Sequence, residues 1–308
     1  MSTLPSDPSD LPNVQFIHLT SAGSDHLVNH PIYTSSKIPL TTSSGIHGPT
    51  ISEWVIMTIL SHAHRFPLLL SWKASSHWPA GRDIATALSG VHDYAGQTIG
   101  ILGYGSIGRQ VAHVASALGM RVLAYTATPR SIPESKHDNG FILPGTGDAK
   151  GTIPSAWFSG LAKKDLHNFL SQDIDILVIS VPLTKQTTHF LSEAEFAVLG
   201  RKSGRKPLVI NIARGKIIVQ SALISALELF RDQNGEQGLR GAALDVADPE
   251  PLPDGDPLWS APNLFLSPHC SGHSDDYSER SALLLEGNLE RWRRGETLWN
   301  LIDRERGY

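Results

Sequence analysis

A glycine motif, Gly103-x-Gly105-x-x-Gly108, constrains the fold of this 308-residue chain more than any other feature. An apolar run (TIGIL) precedes it and a helical run (SIGRQVAHVASAL) follows it, which is the context expected of a dinucleotide-binding turn. Gly103 would allow the tight turn, Gly105 the close approach of a pyrophosphate, and Gly108 the packing of helix on strand. The N–H groups of Ser106 and Ile107, at the helix N-terminus, would face the phosphates.

Short apolar runs alternate with helical stretches from Gln97 onward. Six runs predict strands: TIGILG, RVLAYT, IDILVIS, PLVINIA, LRGAALDV and NLFLS. Helices are predicted over 106–118, 165–170, 192–199, 220–230 and 275–294. This alternation predicts an α/β fold, a doubly wound parallel sheet of the Rossmann type with helices on both faces.

Three further segments carry predictions of their own. The run VQFIHLT, Val14–Thr20, predicts a strand, and GPTISEWVIMTILSHAH predicts a long buried helix that begins with the capping box Thr50-x-x-Glu53. A second capping box, Ser192-x-x-Glu195, begins the helix over 192–199. About thirty residues rich in Gly, Pro, Ser and Lys predict a long excursion at about 131–160, either over the surface or as a mobile flap.

Composition narrows the function classes. The net charge of −4 and the charged fraction of 18% predict no general attraction to nucleic acid or to an anionic membrane. The sequence holds no run of about 20 apolar residues. A single cysteine, Cys270, suits a reducing compartment, so the chain is expected to be cytoplasmic. No metal site is expected, because the histidines of HAH lie two apart in a predicted helix and point to different faces.

Three strand ends carry chemistry. Arg214 follows LVINIA, Asp245 and Glu250 follow or end GAALDV, and His269 follows NLFL. Ligands of open α/β sheets bind beyond the carboxyl ends of the strands, so these side chains are expected to face one crevice. There Arg214 could grip a carboxylate through two hydrogen bonds, and His269 could exchange a proton with a carbonyl or hydroxyl oxygen. Glu250 could orient the imidazole.

The end of the second predicted strand bears on the cofactor. An acid there would accept hydrogen bonds from the adenine ribose and repel a 2′-phosphate, but this chain has Thr126. Arg130 lies four residues further on and could grip a phosphate. The alternative is that Arg130 points into solvent and the site accepts either dinucleotide. The sequence therefore predicts that NADP(H) is favoured and that NAD(H) is possible.

With these motifs the chain resembles the D-isomer-specific 2-hydroxyacid dehydrogenase family over nearly its whole length. The resemblance rests on TIGILGYGSIGRQVA, VISVPLTKQTTHFL, VINIARGKIIVQSALISAL, GAALDVADPEPLPDGDPLW and LFLSPHCSGHS. It implies that Arg214 binds the substrate carboxylate, that Glu250 pairs with His269, and that His269 is the acid/base. It also implies the roles of six further residues: Ala22 and Gly23 at the substrate carboxylate, Val181, Pro182, Thr187 and Ala213 at the cofactor, and in addition Asp245 at the nicotinamide amide.

The resemblance also implies a domain organisation. The cofactor domain, 73–272, would be inserted into a smaller α/β substrate domain formed by 1–72 and 273–308, with a cleft between them and usually a homodimer. Relatives normally carry a further strand–helix–strand region before NVQFIHLTSAG, so the substrate domain is expected to be truncated.

The predicted reaction is reduction of a 2-ketoacid, such as glyoxylate, hydroxypyruvate or a bulkier one, to a D-2-hydroxyacid. Trp78 and Trp259 are candidates for the pocket wall, with core packing as the alternative. Two other functions stay open: a non-catalytic scaffold that senses a dinucleotide, and a truncated chain without activity.

Overall fold

The computed structural model describes residues 4–199, 206–233 and 236–305. Its strands are β1 (Ile17–His18), β2 (Leu40–Thr41), β3 (Thr98–Leu102), β4 (Arg121–Thr126), β5 (Ala156–Ser159), β6 (Ile176–Ile179), β7 (Leu208–Asn211), β8 (Gly241–Leu244) and β9 (Leu264–Leu266). Its helices are α1 (Pro31–Thr34), α2 (Gly48–Ala63), α3 (Phe66–Ala74), α4 (Arg82–Ala87), α5 (Ser106–Ala117), α6 (Lys163–Leu170), α7 (Glu193–Leu199), α8 (Gln220–Asp232) and α9 (Tyr277–Arg293).

Seven strands form one sheet in the order β5-β4-β3-β6-β7-β8-β9, and every pairing is parallel. The order reverses between β3 and β6, which places a crevice at their carboxyl ends. This confirms the predicted doubly wound parallel sheet. The sheet has seven strands rather than the predicted six, because β5 lies inside the segment predicted as an excursion.

Apolar side chains cover both faces of this sheet. Along β6, Ile176 and Val178 pack in the cluster that includes α2 and α5, whereas Leu177 and Ile179 pack in the cluster on the other face. Successive residues of a strand point to opposite faces, so a strand buried on both faces has to be apolar throughout. This explains why the strands are continuous apolar runs in the sequence.

A small second unit lies N-terminal to α2. Its strands β1 and β2 are parallel and pack over a cluster of Leu27, Ile32, Tyr33, Leu40 and Ile302. The predicted strand Val14–Thr20 is therefore too long, since only Ile17–His18 is strand. Ile302 donates its N–H to the carbonyl of Leu40, so the end of the chain returns to this unit.

The predicted excursion at about 131–160 is neither a surface excursion nor a flap, and this prediction was wrong. Arg109 of α5 is 4% exposed and donates to the carbonyls of Asp148 (2.5 Å) and Lys136 (2.7 Å). The hydroxyl of Tyr104, in the glycine turn, donates to Asp148 Oδ2 (2.8 Å). Phe141 is buried in a cluster with residues of the N-terminal and C-terminal segments. Residues 131–155 therefore form a packed brace between the sheet and both ends of the chain.

The two capping boxes differ in outcome. Helix α2 begins at Gly48 with His47 as its N-cap, and no side chain caps it, so the box predicted at Thr50 and Glu53 was wrong. Glu195 does accept hydrogen bonds from the N–H (3.0 Å) and hydroxyl (2.6 Å) of Ser192. Proline at the start of α2 explains the difference, since proline favours the first turn of a helix.

Candidate active site

The candidate residues follow neighbouring strands at one edge of the sheet. Arg214 comes after β7, Asp245 after β8 and His269 after β9, and these three strands are adjacent and parallel. The glycine turn comes after β3 on the other side of the crevice. The fold therefore brings both sets of predicted residues to the carboxyl edge of the same sheet.

Each glycine of the motif occupies a different environment. Gly103 has φ +107°, and a Cβ there would lie 2.6 Å from the carbonyl carbon of Ser180. A Cβ on Gly108 would lie 2.2 Å from the carbonyl oxygen of Gly103, whereas a Cβ on Gly105 would meet nothing within 4 Å. The open space at Gly105 adjoins the N-terminus of α5, where no side chain caps the helix. This turn fits a pyrophosphate, because free N–H groups and the positive end of the helix face the space.

The segment after β6 adjoins the glycine turn. The Thr187 side chain is buried, and its hydroxyl donates to the carbonyl of Pro182 (2.7 Å) and accepts from the N–H of Thr184 (2.7 Å). A Cβ on Gly103 would lie 2.7 Å from the N of Val181. Thr187 thus fixes the turn whose first residues lie beside the glycine motif.

The loop at the end of β4, Thr126–Arg130, is termed here the ribose loop. The hydroxyl of Thr126 donates to the carbonyl of Thr128 (2.8 Å). Arg130 Nη1 donates to the carbonyl of Ser135 (2.5 Å), and its Nε is buried without a hydrogen-bond partner in the described part of the chain. A buried donor without a partner is costly, so this guanidinium fits an anionic ligand that would complete its hydrogen bonds.

Arg214 pairs with a carboxylate that the sequence analysis missed. Its Nη2 donates to Asp25 Oδ1 (2.8 Å) and its Nε to Oδ2 (3.3 Å), while Nη1 donates to the carbonyl of Ala213 (2.7 Å). A guanidinium has five N–H groups, so among the described residues one on each terminal nitrogen stays available to a ligand. Asp25 lies two residues after Gly23 in SAGSD; this closeness to a predicted site residue was the only signal.

The charge of Arg214 also acts on Asp25. Burial raises the pKa of Asp25, but the hydrogen bond and the charge of Arg214 outweigh burial and lower that pKa below its usual value. Asp25 is therefore ionised at neutral pH. The loop of Ala22 and Gly23 lies at the same place, since a Cβ on Gly23 would lie 2.5 Å from Arg214 Nη2.

His269 and Glu250 form a pair, as the resemblance implied. His269 Nδ1 lies 2.9 Å from Glu250 Oε2, and Glu250 Oε1 accepts the N–H of Ala247 (3.0 Å). A carboxylate accepts from Nδ1–H, so the other ring nitrogen, Nε2, is the one that can reach a ligand. The imidazole is about half exposed, at 49%, which leaves it accessible from solvent.

Asp245 contacts the loop that carries His269. This loop, Ser267–Ser271, is termed here the acid/base loop. Asp245 is 2% exposed and accepts from the hydroxyl of Ser267 (2.6 Å), the N–H of Cys270 (2.9 Å) and the N–H of Ser271 (2.9 Å). The hydroxyl of Ser271 is a further donor. A contact of Asp245 with the nicotinamide amide stays a prediction.

The two candidate pocket tryptophans lie elsewhere. Trp78 is 93% exposed, and Trp259 is 57% exposed with its indole N–H donated to the carbonyl of Pro253 (2.9 Å). The core-packing alternative is therefore wrong for both, and neither is enclosed in a pocket.

Comparisons with known proteins agree with this arrangement. Residues 56–142 and 150–271 match the family described as D-isomer specific 2-hydroxyacid dehydrogenase, NAD binding domain. A glyoxylate reductase of Thermofilum pendens is 30% identical over 294 residues, which cover 96% of this chain and 76% of that protein. A glyoxylate reductase of Korarchaeum cryptofilum is 28% identical over 88% of this chain and 71% of its own length.

Two solved structures are similar over almost the whole chain. The D-isomer specific 2-hydroxyacid dehydrogenase of Xanthobacter autotrophicus in complex with NADPH and MES has a TM-score of 0.76 at 25% identity, covering 100% of this chain and 84% of that one. The NADPH-dependent glyoxylate/hydroxypyruvate reductase of Sinorhizobium meliloti, in complex with NADP and sulfate, has a TM-score of 0.73 at 25% identity, covering 99% and 85%. Each helix in the described residues is too short or too polar to cross a bilayer.

Proposed function

The chain belongs to the D-isomer specific 2-hydroxyacid dehydrogenase family, and from this premise we propose that it reduces 2-ketoacids such as glyoxylate and hydroxypyruvate to D-2-hydroxyacids. The observation that carries the proposal is the convergence at adjacent strand ends of a guanidinium with free N–H groups and a His–Glu pair 2.9 Å apart. This set matches the needs of a ketoacid, which brings a carboxylate to be held and a carbonyl oxygen to be protonated.

Each residue of the site has a separate task. The available N–H groups on the two terminal nitrogens of Arg214 form a planar fork for the substrate carboxylate. His269 Nε2 donates a proton to the carbonyl oxygen, and Glu250 holds the ring through Nδ1 so that Nε2 faces the substrate. When bound, the reduced nicotinamide supplies the hydride that the carbonyl carbon receives. The positive charge of Arg214 also stabilises negative charge that develops on the oxygen.

The cofactor is a nicotinamide dinucleotide, with NADP(H) favoured. The glycine turn would hold the pyrophosphate, and Thr126 at the end of β4 has no charge that would repel a 2′-phosphate. The unpartnered Nε of Arg130 supports a phosphate ligand at this loop. The related structures from Xanthobacter and Sinorhizobium hold NADPH and NADP.

A spectrophotometric assay tests this function. The purified chain is mixed with NADPH or NADH and with glyoxylate, hydroxypyruvate or a bulkier 2-ketoacid, and the loss of reduced-nicotinamide absorbance is followed. Turnover with NADPH and at least one ketoacid is expected. NADPH binding without turnover on any ketoacid would instead select a non-catalytic dinucleotide sensor, and absence of binding would overturn the proposal altogether.

The chain is further proposed to act as a homodimer. Helices α2, α3 and α4 and the segment between them expose large apolar side chains, including Met57 (47%), Leu70 (51%) and Trp78 (93%). Contiguous apolar surface of this kind marks a contact with another protein. Light scattering should give twice the mass of one chain, and Leu70→Asp should give monomers. Leu229→Asp, at an apolar residue 40% exposed on α8, is the matched control and should stay dimeric.

Two coarser assignments accompany this proposal. Residues 73–272 would act as the cofactor domain and 1–72 with 273–308 as the substrate domain, with α2 at their boundary because its apolar face packs on α5. A cytoplasmic location is proposed because the one cysteine, Cys270, is exposed and unpaired. Limited proteolysis and a fluorescent fusion, respectively, test these two assignments.

A further inference from the structure

The acid/base loop holds its histidine in an uncommon backbone conformation. His269 has φ +52°, in the left-handed region that side-chain-bearing residues seldom adopt. A residue stays there only when the surrounding structure determines it. The hydrogen bonds that the neighbouring residues make are therefore part of how the imidazole is aimed.

Those hydrogen bonds converge on one residue. The carbonyl of Asp245 accepts the N–H of His269 (2.8 Å). Its carboxylate accepts from both sides of the histidine: Oδ1 from the Ser267 hydroxyl (2.6 Å) and the Cys270 N–H (2.9 Å), Oδ2 from the Ser271 N–H (2.9 Å) and the Ser271 hydroxyl. A carboxylate has about four acceptor positions, so the loop accounts for the capacity of this one.

We propose that Asp245 is a positioning residue for the acid/base, whose carboxylate clamps residues 267 and 270–271 and so holds His269 in its left-handed conformation against Glu250. This inference rests on the proposed function of His269. It assigns Asp245 a task within the protein, in place of a direct contact with the nicotinamide amide.

The chemistry of the clamp explains why an aspartate is needed. All four partners are donors, so the group at their centre must accept on both of its oxygens. Asparagine has the same shape, but its NH2 group would face the backbone N–H of Ser271, which cannot turn away. Asp245→Asn would therefore release one side of the loop while Ser267 and Cys270 keep their acceptor. Displacement of a reacting group by about 1 Å can cost about 100-fold in rate.

Three measurements on the full chain test the proposal. In Asp245→Asn, kcat should fall about 10- to 100-fold, while KM and the Kd of NADPH, the latter from fluorescence titration, stay within about twofold of the parent values. Ser271→Ala keeps the carboxylate and removes one donor, so its kcat should fall in the same direction by less. In the double variant the two losses should not multiply, because both release the same clamp. Asp173→Asn, at an exposed position, is the matched control.

The third measurement does not need turnover. Cys270 is the sole cysteine of the chain and is exposed, so a nitroxide attached to it reports the mobility of the loop in the free protein. Asp245→Asn should narrow the spectrum markedly, and Asp173→Asn should leave it unchanged. If the parent protein reduces no ketoacid but the spectrum narrows as expected, the function of the site is wrong and the clamp stands.

Two results would overturn the proposal. An unchanged spectrum together with NADPH binding weakened tenfold or more would assign Asp245 to the cofactor instead. Parent-like kcat and spectrum would show that the loop holds itself. If Asp245→Asn does not fold, Ser267→Ala and Ser271→Ala decide the question: an increase in both kcat loss and mobility supports the clamp, and parent-like values for both refute it.

Discussion

The acid/base loop and the ribose loop lie at opposite ends of the same sheet edge and are completed in different ways. In the acid/base loop the buried carboxylate of Asp245 accepts from three residues, and His269 is paired with Glu250. In the ribose loop Thr126 bonds to its own loop, and Arg130 keeps a buried Nε without a partner among the described residues.

The difference separates chemistry from selection. A proton donor has to be in place before the substrate arrives, so the protein satisfies every hydrogen bond that aims it. A group that chooses between two cofactors gains from having bonds that only one of them can complete. We therefore expect changes in the acid/base loop to alter the rate and changes in the ribose loop to alter the choice of cofactor.

The largest effect should come from His269→Gln, which removes the proton donor and leaves the glycine turn untouched. We expect kcat to fall by about 10² to 10⁴, the usual contribution of a general acid–base group. The Kd of NADPH should stay within about twofold. Steady-state kinetics and fluorescence titration measure the two. Near-parental turnover would remove His269 from the acid/base role and break the comparison at its stronger side.

Arg214→Lys should have the next largest effect. Arg214 combines both behaviours, since Asp25 and a carbonyl fix the guanidinium while one N–H on each terminal nitrogen is left for a ligand. A lysine ammonium cannot form that planar fork. Loss of a hydrogen-bonded charge contact of about 1.5–3 kcal/mol predicts a decrease of about 10- to 100-fold in kcat/KM. Kinetics with glyoxylate that barely change would show that the carboxylate binds elsewhere.

Substitutions in the ribose loop sharpen the comparison from the other side. Thr126→Asp should shift the preference toward NAD(H), because the new charge repels a 2′-phosphate. Arg130→Ala should lower kcat/KM for NADPH about tenfold and leave NADH nearly unchanged, as expected for one charge-assisted contact. The ratio of the two kcat/KM values measures the preference. A parent protein that already uses NADH as efficiently as NADPH would contradict the assignment.

The smallest effect on activity should come from Tyr104→Phe. Burial and the charge of Asp148 raise the pKa of Tyr104, so its hydroxyl stays a donor to that carboxylate. Its loss should lower stability by about 1 kcal/mol and Tm by about 2 °C. Thermal unfolding measures this, and kcat should change by less than about twofold. A decrease in kcat as large as that of Arg214→Lys would place the brace within the active site.

Sequence patterns predicted the sheet because its strands are buried on both faces and their ends carry distinctive residues. They failed where the cause is tertiary. The four residues of β5 have no period that marks a strand, and their pairing with β4 depends on the brace, which in turn depends on the buried Arg109. An arginine in an amphipathic helix gives no sign that its partners lie about 30 to 40 residues further on.

The same limit applies to the site. Arg214, Glu250 and His269 could be chosen from their places after strands, and the structure puts Glu250 and His269 in contact. Asp25 could not be paired with Arg214, because 189 residues separate them and no local pattern connects the two. The left-handed conformation of His269 was equally hidden, since glycine is the residue that normally announces such a position.

The order of strands also determines when the cofactor site can exist during synthesis. The carbonyl of Gly103 accepts the hydroxyl of Ser180 across 77 residues, so the turn gains its neighbouring strand only after that much more chain has been made. At about 5–20 residues per second, the nascent turn waits about 4 to 15 seconds for its neighbour. During that interval β3 and β4 can pair, but one of their outer edges has no strand to cover it. We therefore expect ribosome-bound chains ending before β6 to engage chaperones and to bind no dinucleotide.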